Sequence, residues 1–154
     1  MLHLIPAPLH RLALRHGYRL RRLWWRIRRP RISGVCVIAR DQYGRVLLVR
    51  LSYGTGKWSL PAGGLQAGED PTAAAAREFA EELGCGLAGI CLVEEREEDL
   101  FGAQDRVFLF AAQVNGIPQP DRREVLEAAF FAPDALPENL EKRVVRRLQL
   151  LEQA

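Results

Sequence analysis

Between residues 8 and 30, Leu9, Leu12, Ala13, His16, Leu20, Leu23, Trp24 and Ile27 recur at helical spacing, and Arg11, Arg15, Arg19, Arg22 and Arg26 line another face. The pattern predicts a basic amphipathic helix. Gly17 weakens its middle by about 1 kcal/mol relative to alanine, and Pro30 closes its end. Beyond Pro30 the period changes. Residues 32–39 and 45–49 read as two strands of a hairpin around the turn Asp41-Gln42-Tyr43-Gly44. A helical period returns over residues 71–83, after which residues 87–96, 106–114 and 124–132 read as strands, with turn signals at Asn115-Gly116 and between Pro118 and Pro120. From Glu138 onward Leu140, Val144, Leu148 and Leu151 form one helical stripe, with Arg143, Arg146 and Arg147 on the more exposed side. Helices on both sides of a mixed sheet predict an α/β fold, a three-layer α/β/α sandwich.

The helix over residues 71–83 carries the densest chemistry. Asp70 suits an N-cap, Pro71 a first helical position and Gly84 a C-terminal stop. Phe79, Leu83, Ala75, Ala76 and Thr72 share one face, and Glu78, Glu81 and Glu82 fall within an adjoining arc of roughly 100°. Like charges at Glu78 and Glu82 cost an isolated helix about 0.2–0.5 kcal/mol, and each carboxylate at the C-terminal end opposes the helix dipole by about 0.3–1 kcal/mol. Arg77 reaches Glu81 at i+4, but one guanidinium does not neutralise three carboxylates. Two explanations fit: a solvated acidic face, or a bound divalent cation. Clustered carboxylate oxygens suit hard cations, Mg²⁺ in particular.

At 154 residues and 48% apolar content, the chain holds enough material for one domain with a sizeable core. The division expected is a helical extension over residues 1–31 and a single domain over residues 32–154. Cys36, Cys85 and Cys91 contain no C-x-x-C pair, and the strand positions of Cys36 and Cys91 predict buried thiols in a reducing cytoplasm. The net charge of +3 conceals an asymmetry: residues 1–40 hold ten arginines and no acid, leaving a net of −7 on the remainder. The basic helix over residues 9–28 therefore admits three uses. Its apolar stripe packs on the domain or a partner subunit, as in a homodimer; it lies on an anionic membrane surface; or it tracks RNA phosphates. Its arginines interrupt the apolar residues too often for a signal peptide core or an 18-residue membrane span, although the acid-free start is similar in composition to an organellar transit peptide.

The spacing around the acidic helix is more specific than its composition. Gly63, Glu69, Arg77, Glu78, the apolar Phe79, Glu81, Glu82, Gly84 and the apolar Cys85 resemble the Nudix box at every fixed position, with Phe79 and Cys85 less usual than the common aliphatics. The preceding Gly56-Lys57-Trp58-Ser59-Leu60-Pro61-Ala62-Gly63-Gly64 is also similar to that family's approach to the box, and the resemblance covers about residues 32–136.

The resemblance implies the same three-layer fold and a divalent-metal-dependent hydrolase that cleaves a phosphoanhydride bond in a nucleoside diphosphate linked to another moiety. Water attacks phosphorus, with Mg²⁺ as cofactor and Mn²⁺ as its substitute. Under it Glu78 and Glu82 are the main cation ligands, and Glu81 is a ligand directly or through water. A backbone carbonyl near Ala62 or Gly63 completes the shell. Arg77 orients the glutamates, Glu69 anchors the loop or sits in the outer shell, and Gly63 and Gly64 let the backbone approach metal and phosphate. The general base is a box glutamate or one outside it, among Glu94, Glu95, Glu97, Glu98, Asp99, Glu124 and Glu127. Trp58 packs the loop or stacks on a base. Leu100, Phe101, Gly102 and Ala103 stand where subfamily markers for ADP-ribose or dinucleoside polyphosphates are expected, so a nucleoside triphosphate or small NDP-linked metabolite is the default substrate. The competing reading is a non-catalytic module that binds nucleotide or RNA.

Overall fold

The computed structural model describes residues 6–152. Helix α1 (Ala7–Arg28) leads into strands β1 (Arg31–Arg40), β2 (Val46–Leu51), β3 (Trp58–Ser59) and β4 (Ala62–Gly64). Helix α2 (Pro71–Leu83) follows, then β5 (Gly86–Leu100), β6 (Ala103–Asn115), β7 (Val125–Phe131) and α3 (Lys142–Glu152). The strands form one mixed sheet in the order β3-β2-β1-β6-β5, with β4 added on β1 and β7 on β2. Of these seven strands only β1 and β6 pair in parallel, from Arg31 against Gln104 to Arg40 against Gln113.

The central strands are apolar on both faces because helices cover both. Val35, Val37, Leu47, Val49, Phe108 and Phe110 turn toward α2, where Ala74, Ala75, Phe79 and Leu83 meet them. Cys36, Ile38, Val46, Leu48, Val107 and Leu109 turn the other way, toward Val144, Leu140 and Leu148 of the α3 segment. The predicted α/β/α sandwich is therefore the architecture.

Several local expectations are corrected. The hairpin of β1 and β2 exists only at its neck, where Arg40 pairs with Val46. Beyond it the strands part: β1 takes β4 and β6, and β2 takes β3 and β7. Thr72 is exposed, and Ala74 and Glu82 take buried places on α2 instead. Cys36 is buried but Cys91 is exposed, because it lies in an uncovered part of the long β5. Arg147 is not on the outside, since its side chain is 12% exposed and donates to Glu98 at 3.2 Å.

Helix α1 forms, but its apolar stripe does not pack on the domain. Leu9, Leu12, Leu20, Leu23, Trp24 and Ile27 are between 52% and 72% exposed. The opposite face docks, through buried Trp25, a Tyr18 ring 5.2 Å from that of Tyr53, and an Arg15 Nε hydrogen bond to the Ser52 carbonyl at 2.9 Å. Aromatic and arginine side chains on that side make better contacts with the tyrosine and phenylalanine rings than the leucine stripe offers: Arg22 lies 3.8 Å from the Phe101 ring centroid, and Phe101 meets Tyr18 edge-on. Among the described residues, no helix is long and apolar enough to cross a membrane.

Candidate active site

Asp70 caps α2 by accepting from the Ala73 amide at 2.9 Å, Pro71 fills the first position, and Gly84 ends the helix at φ +64°. The helix C-terminus leaves carbonyls to satisfy, and the chain before β7 supplies the donors: Gln119 N–H bonds Leu83 O at 2.6 Å and Asp121 N–H bonds Glu82 O at 2.9 Å. The Asp121 carboxylate in turn accepts the Arg123, Glu124 and Val125 amides. That turn carries Glu124 to the acidic face of α2.

Strand β4 approaches from the other side. Its pairing of Val35 with Gly63 and Gly34 with Gly64 holds the backbone so close to the Glu78 side chain that a Cβ at position 63 would displace it. Arg77 ties the pieces together. Its Nε and Nη2 donate to the two carboxylate oxygens of Glu69 at 2.7 and 2.9 Å, Nη1 to Glu78 Oε1 at 2.8 Å, and Nη2 to the Gly64 carbonyl at 3.1 Å. Glu81 lies 3.5 Å from Nη1. Glu69 also accepts the Gln66 amide at 3.0 Å, and the Arg77 bonds, then the Gln66 bond, hold its carboxyl down at about 2. The bonds to Glu69 and Glu78 raise the Arg77 guanidinium above its usual value. Glu69 thus sits where an anchor of the loop would sit.

Glu82 is the electrostatic centre. It is only 6% exposed, and burial, then the nearby Glu124, Glu78, Asp121 and Glu81, push its carboxyl up to about 9. Burial and the charges of Asp121 and Glu78 also raise Glu124, while His10 and Arg21 of α1 oppose them. Tyr53 is raised by burial and by Glu124 and Glu82, which places its hydroxyl in the same field. Among the described residues, no three acidic, histidine or cysteine side chains converge closely enough to form a ready-made ion site. Glu78 is drawn instead onto Arg77.

The structure separates the carboxylates outside the box. Glu94 pairs with Arg96, Glu95 with Arg106, and Glu127 with Arg50. Residues 94–99 all lie in β5, paired with β6. Glu98 faces α3, contacting Arg143, Arg146 and Arg147. Only Glu124 of these candidates acts on Glu82. Its signal in the sequence is Asp121, a turn former three residues ahead, but neither residue announces a partner some forty positions away. Trp58 packs edge-on against Phe131 at 5.1 Å between ring centroids, and its backbone bonds Asn139 and Glu141.

Known proteins share the domain and the fold. Residues 30–153 match the NUDIX domain. An RNA pyrophosphohydrolase of Rhodospirillum rubrum is 34% identical over 85 residues, 49% of this chain and 52% of that protein, so the match spans about half the length of that curated relative. The structure of a MutT NUDIX hydrolase from Burkholderia pseudomallei superposes with a TM-score of 0.71 at 25% identity, covering 78% of this chain and 97% of the other. A NUDIX hydrolase from Nitrosomonas europaea gives 0.67 at 25% identity, covering 80% and 89%. With the sandwich, the arginine-tied glutamates and the family match in agreement, the chain belongs to the NUDIX hydrolase family.

Proposed function

We propose that the protein is a Mg²⁺-dependent pyrophosphohydrolase acting on a nucleotide-linked diphosphate or triphosphate. Glu82 carries the reading: a buried carboxylate that feels the charges of Glu124, Glu78, Asp121 and Glu81, with no hydrogen bond or ion pair to its side chain among the described residues. Burying like charges without a counter-ion is costly, and evolution gains nothing structural from it. The donors are all carboxylate oxygens, which fits a hard divalent cation, Mg²⁺ first and Mn²⁺ as substitute.

Glu78 and Glu82 would hold the cation, with Glu81 at the exposed end of the same face. Bound there, the ion would neutralise the diphosphate and make the attacking water more acidic. The chain's own residues do the positioning. Arg77 fixes the glutamates and, through the Gly64 carbonyl, the loop that presents Gly63. Glu124 takes the proton of the attacking water as its oxygen bonds to phosphorus and the phosphoanhydride oxygen leaves. Three free cysteines suit a reducing cytoplasm.

The test is phosphate and pyrophosphate release from nucleoside triphosphates, NDP-sugars, dinucleoside polyphosphates and 5′-triphosphorylated RNA, with Mg²⁺ and with EDTA. Metal-dependent release from one class supports the hydrolase and names its substrate; the RNA arm is included because the Rhodospirillum rubrum relative is an RNA pyrophosphohydrolase. Tight nucleotide or RNA binding with no release from any class would replace the enzyme by a binding module.

A further inference from the structure

A cavity of about 250 Å³ lies between α1 and the acidic cluster. Helix α1 forms most of its wall, Tyr53 lines it from the chain after β2, and Glu124 from the chain before β7. Because Glu124 belongs to the electrostatic group around Glu82, the cavity adjoins the catalytic carboxylates.

Two residues of that wall stand out, Gly17 and Arg21. Gly17 sits inside α1, where glycine costs about 1 kcal/mol relative to alanine. Glycines persist in helices when a neighbour presses close, yet a Cβ at position 17 would meet nothing within 4 Å. Its bare backbone lines the cavity instead. Arg21 is exposed and forms no ion pair among the described residues; it rests over the Tyr18 and Trp25 rings at 5.8 and 5.1 Å from their centroids. From there it acts electrostatically on both Tyr53 and Glu124. The rings hold a guanidinium with no ion pair among the described residues beside a cavity that Ala13, Leu14, Gly17, Tyr18, Tyr53 and Glu124 also line.

We propose that this cavity is a substrate subsite in which Arg21 donates to a phosphate group of the nucleotide and Gly17 leaves the room that group needs. The proposal rests on the hydrolase reading and adds to it that α1, outside the matched domain, helps choose the substrate. A guanidinium fork matches phosphate oxygens in geometry and charge, which an uncharged sugar or base does not exploit. The volume falls below the roughly 300–1,000 Å³ of a site for a whole drug-sized ligand, so the cavity takes one group while the remainder lies along the open acidic face. A polyphosphate spans both ends, its negative charge facing Arg21 at one and the cation held by the glutamates at the other.

The experiment uses the full chain in four variants, Arg21→Gln, Arg21→Lys, Gly17→Met and, as a control on the solvent face of α1, Arg19→Gln. Two readouts are taken: KM and kcat on the substrate found above, and calorimetric binding of inorganic pyrophosphate in Mg²⁺. Arg21→Gln is expected to raise KM and the pyrophosphate Kd about tenfold with kcat within about twofold, and Arg21→Lys to recover part of that loss, the scale of one charge-assisted contact. Gly17→Met should raise KM although it raises Tm, since methionine is the better helix former; a purely structural role for Gly17 predicts the reverse pairing. Arg19→Gln should change neither readout. Unchanged KM and Kd in both Arg21→Gln and Gly17→Met would overturn the subsite while leaving the hydrolase standing. If the wild type turns over nothing, the hydrolase reading falls, and the pyrophosphate Kd of Arg21→Gln alone decides the subsite: a tenfold loss keeps it, no change removes it.

Discussion

Gly63 and Glu78 compete for one volume: a Cβ on Gly63 would lie 2.2 Å from Cγ and Cδ of Glu78. The Glu78 side chain occupies the space that a side chain at position 63 would need, so any residue larger than glycine there must push Glu78 off its bond to Arg77. Gly63→Ala is expected to keep the fold, because the atoms that give way belong to a flexible side chain. Turnover should fall about 100-fold, the usual cost of misplacing a reacting group by about 1 Å. Near wild-type kcat with an unchanged Tm would show that the position of Glu78 is immaterial.

Arg77 makes four hydrogen bonds that a lysine ammonium cannot reproduce, since they radiate from a planar fork to Glu69, Glu78 and the Gly64 carbonyl. Arg77→Lys keeps the charge and loses the geometry. The expectation is a fall in kcat of about 10–100-fold, typical of residues that orient metal ligands, together with weaker apparent Mg²⁺ affinity. Titrating activity against Mg²⁺ separates the two, and a rate equal to wild type at saturating Mg²⁺ would remove the orienting role from kcat.

The local parts of this site were legible before any coordinates. Asp70, Pro71 and Gly84 mark the ends of α2 by rules that act within one turn, and the acidic arc follows from the helical period. What periodicity does not reveal is which of seven further carboxylates meets that arc. Glu124 arrives because its loop satisfies the last carbonyls of α2, a long-range demand that leaves only Asp121 as a local trace. The same blindness affects α1. A leucine stripe at helical spacing reads as a packing face, yet the domain takes the side with Tyr18 and Trp25, because the facing surface offers Tyr53 and Phe101. Strands β3 and β4, of two and three residues, are too short to show a period at all.

Glu124 and Glu127 stand on the same stretch and separate cleanly in the structure. Glu127 faces Arg50 in solvent, and Glu124 faces Glu82 and Glu78. Glu124→Gln should lower kcat by about 10²–10⁴-fold, the range of general acid–base catalysis, and Glu127→Gln should leave it unchanged. The pair of steady-state assays decides, since equal effects would place the base elsewhere.

Glu98 has a different office. Its side chain is 10% exposed and meets Arg146 at 2.5 Å, Arg147 at 3.2 Å and Arg143 at 3.4 Å, fastening β5 to α3 on the face of the sheet away from α2. Glu98→Gln is expected to destabilise the protein by about 1–3 kcal/mol, as hydrogen bonds to charged groups are lost. For a chain of this size that is about 2–4 °C of Tm per kcal/mol, with kcat unaltered. Loss of activity at full stability would move Glu98 from scaffold to site.

The buried Glu82 makes stability depend on pH in a direction opposite to an ordinary salt-bridged acid. In metal-free protein its folded value of about 9 lies above the ordinary 4.5, so between those values the folded state keeps a proton that the unfolded chain has released. Stability from this group is whole below about pH 4.5 and is lost as pH rises toward 9. In EDTA, Tm should therefore fall from pH 6 to pH 9. Mg²⁺ binds the carboxylate form, so it should restore Tm more at pH 9 than at pH 6, by mass action on the folded state. Glu82→Gln has no proton to lose and a poorer ligand to offer, so both the pH slope and the Mg²⁺ increment should flatten, with turnover down by orders of magnitude. A flat Tm in wild-type protein with EDTA would mean that Glu82 is not held in a field of unneutralised acids. An undiminished Mg²⁺ increment in Glu82→Gln would place the cation on other ligands.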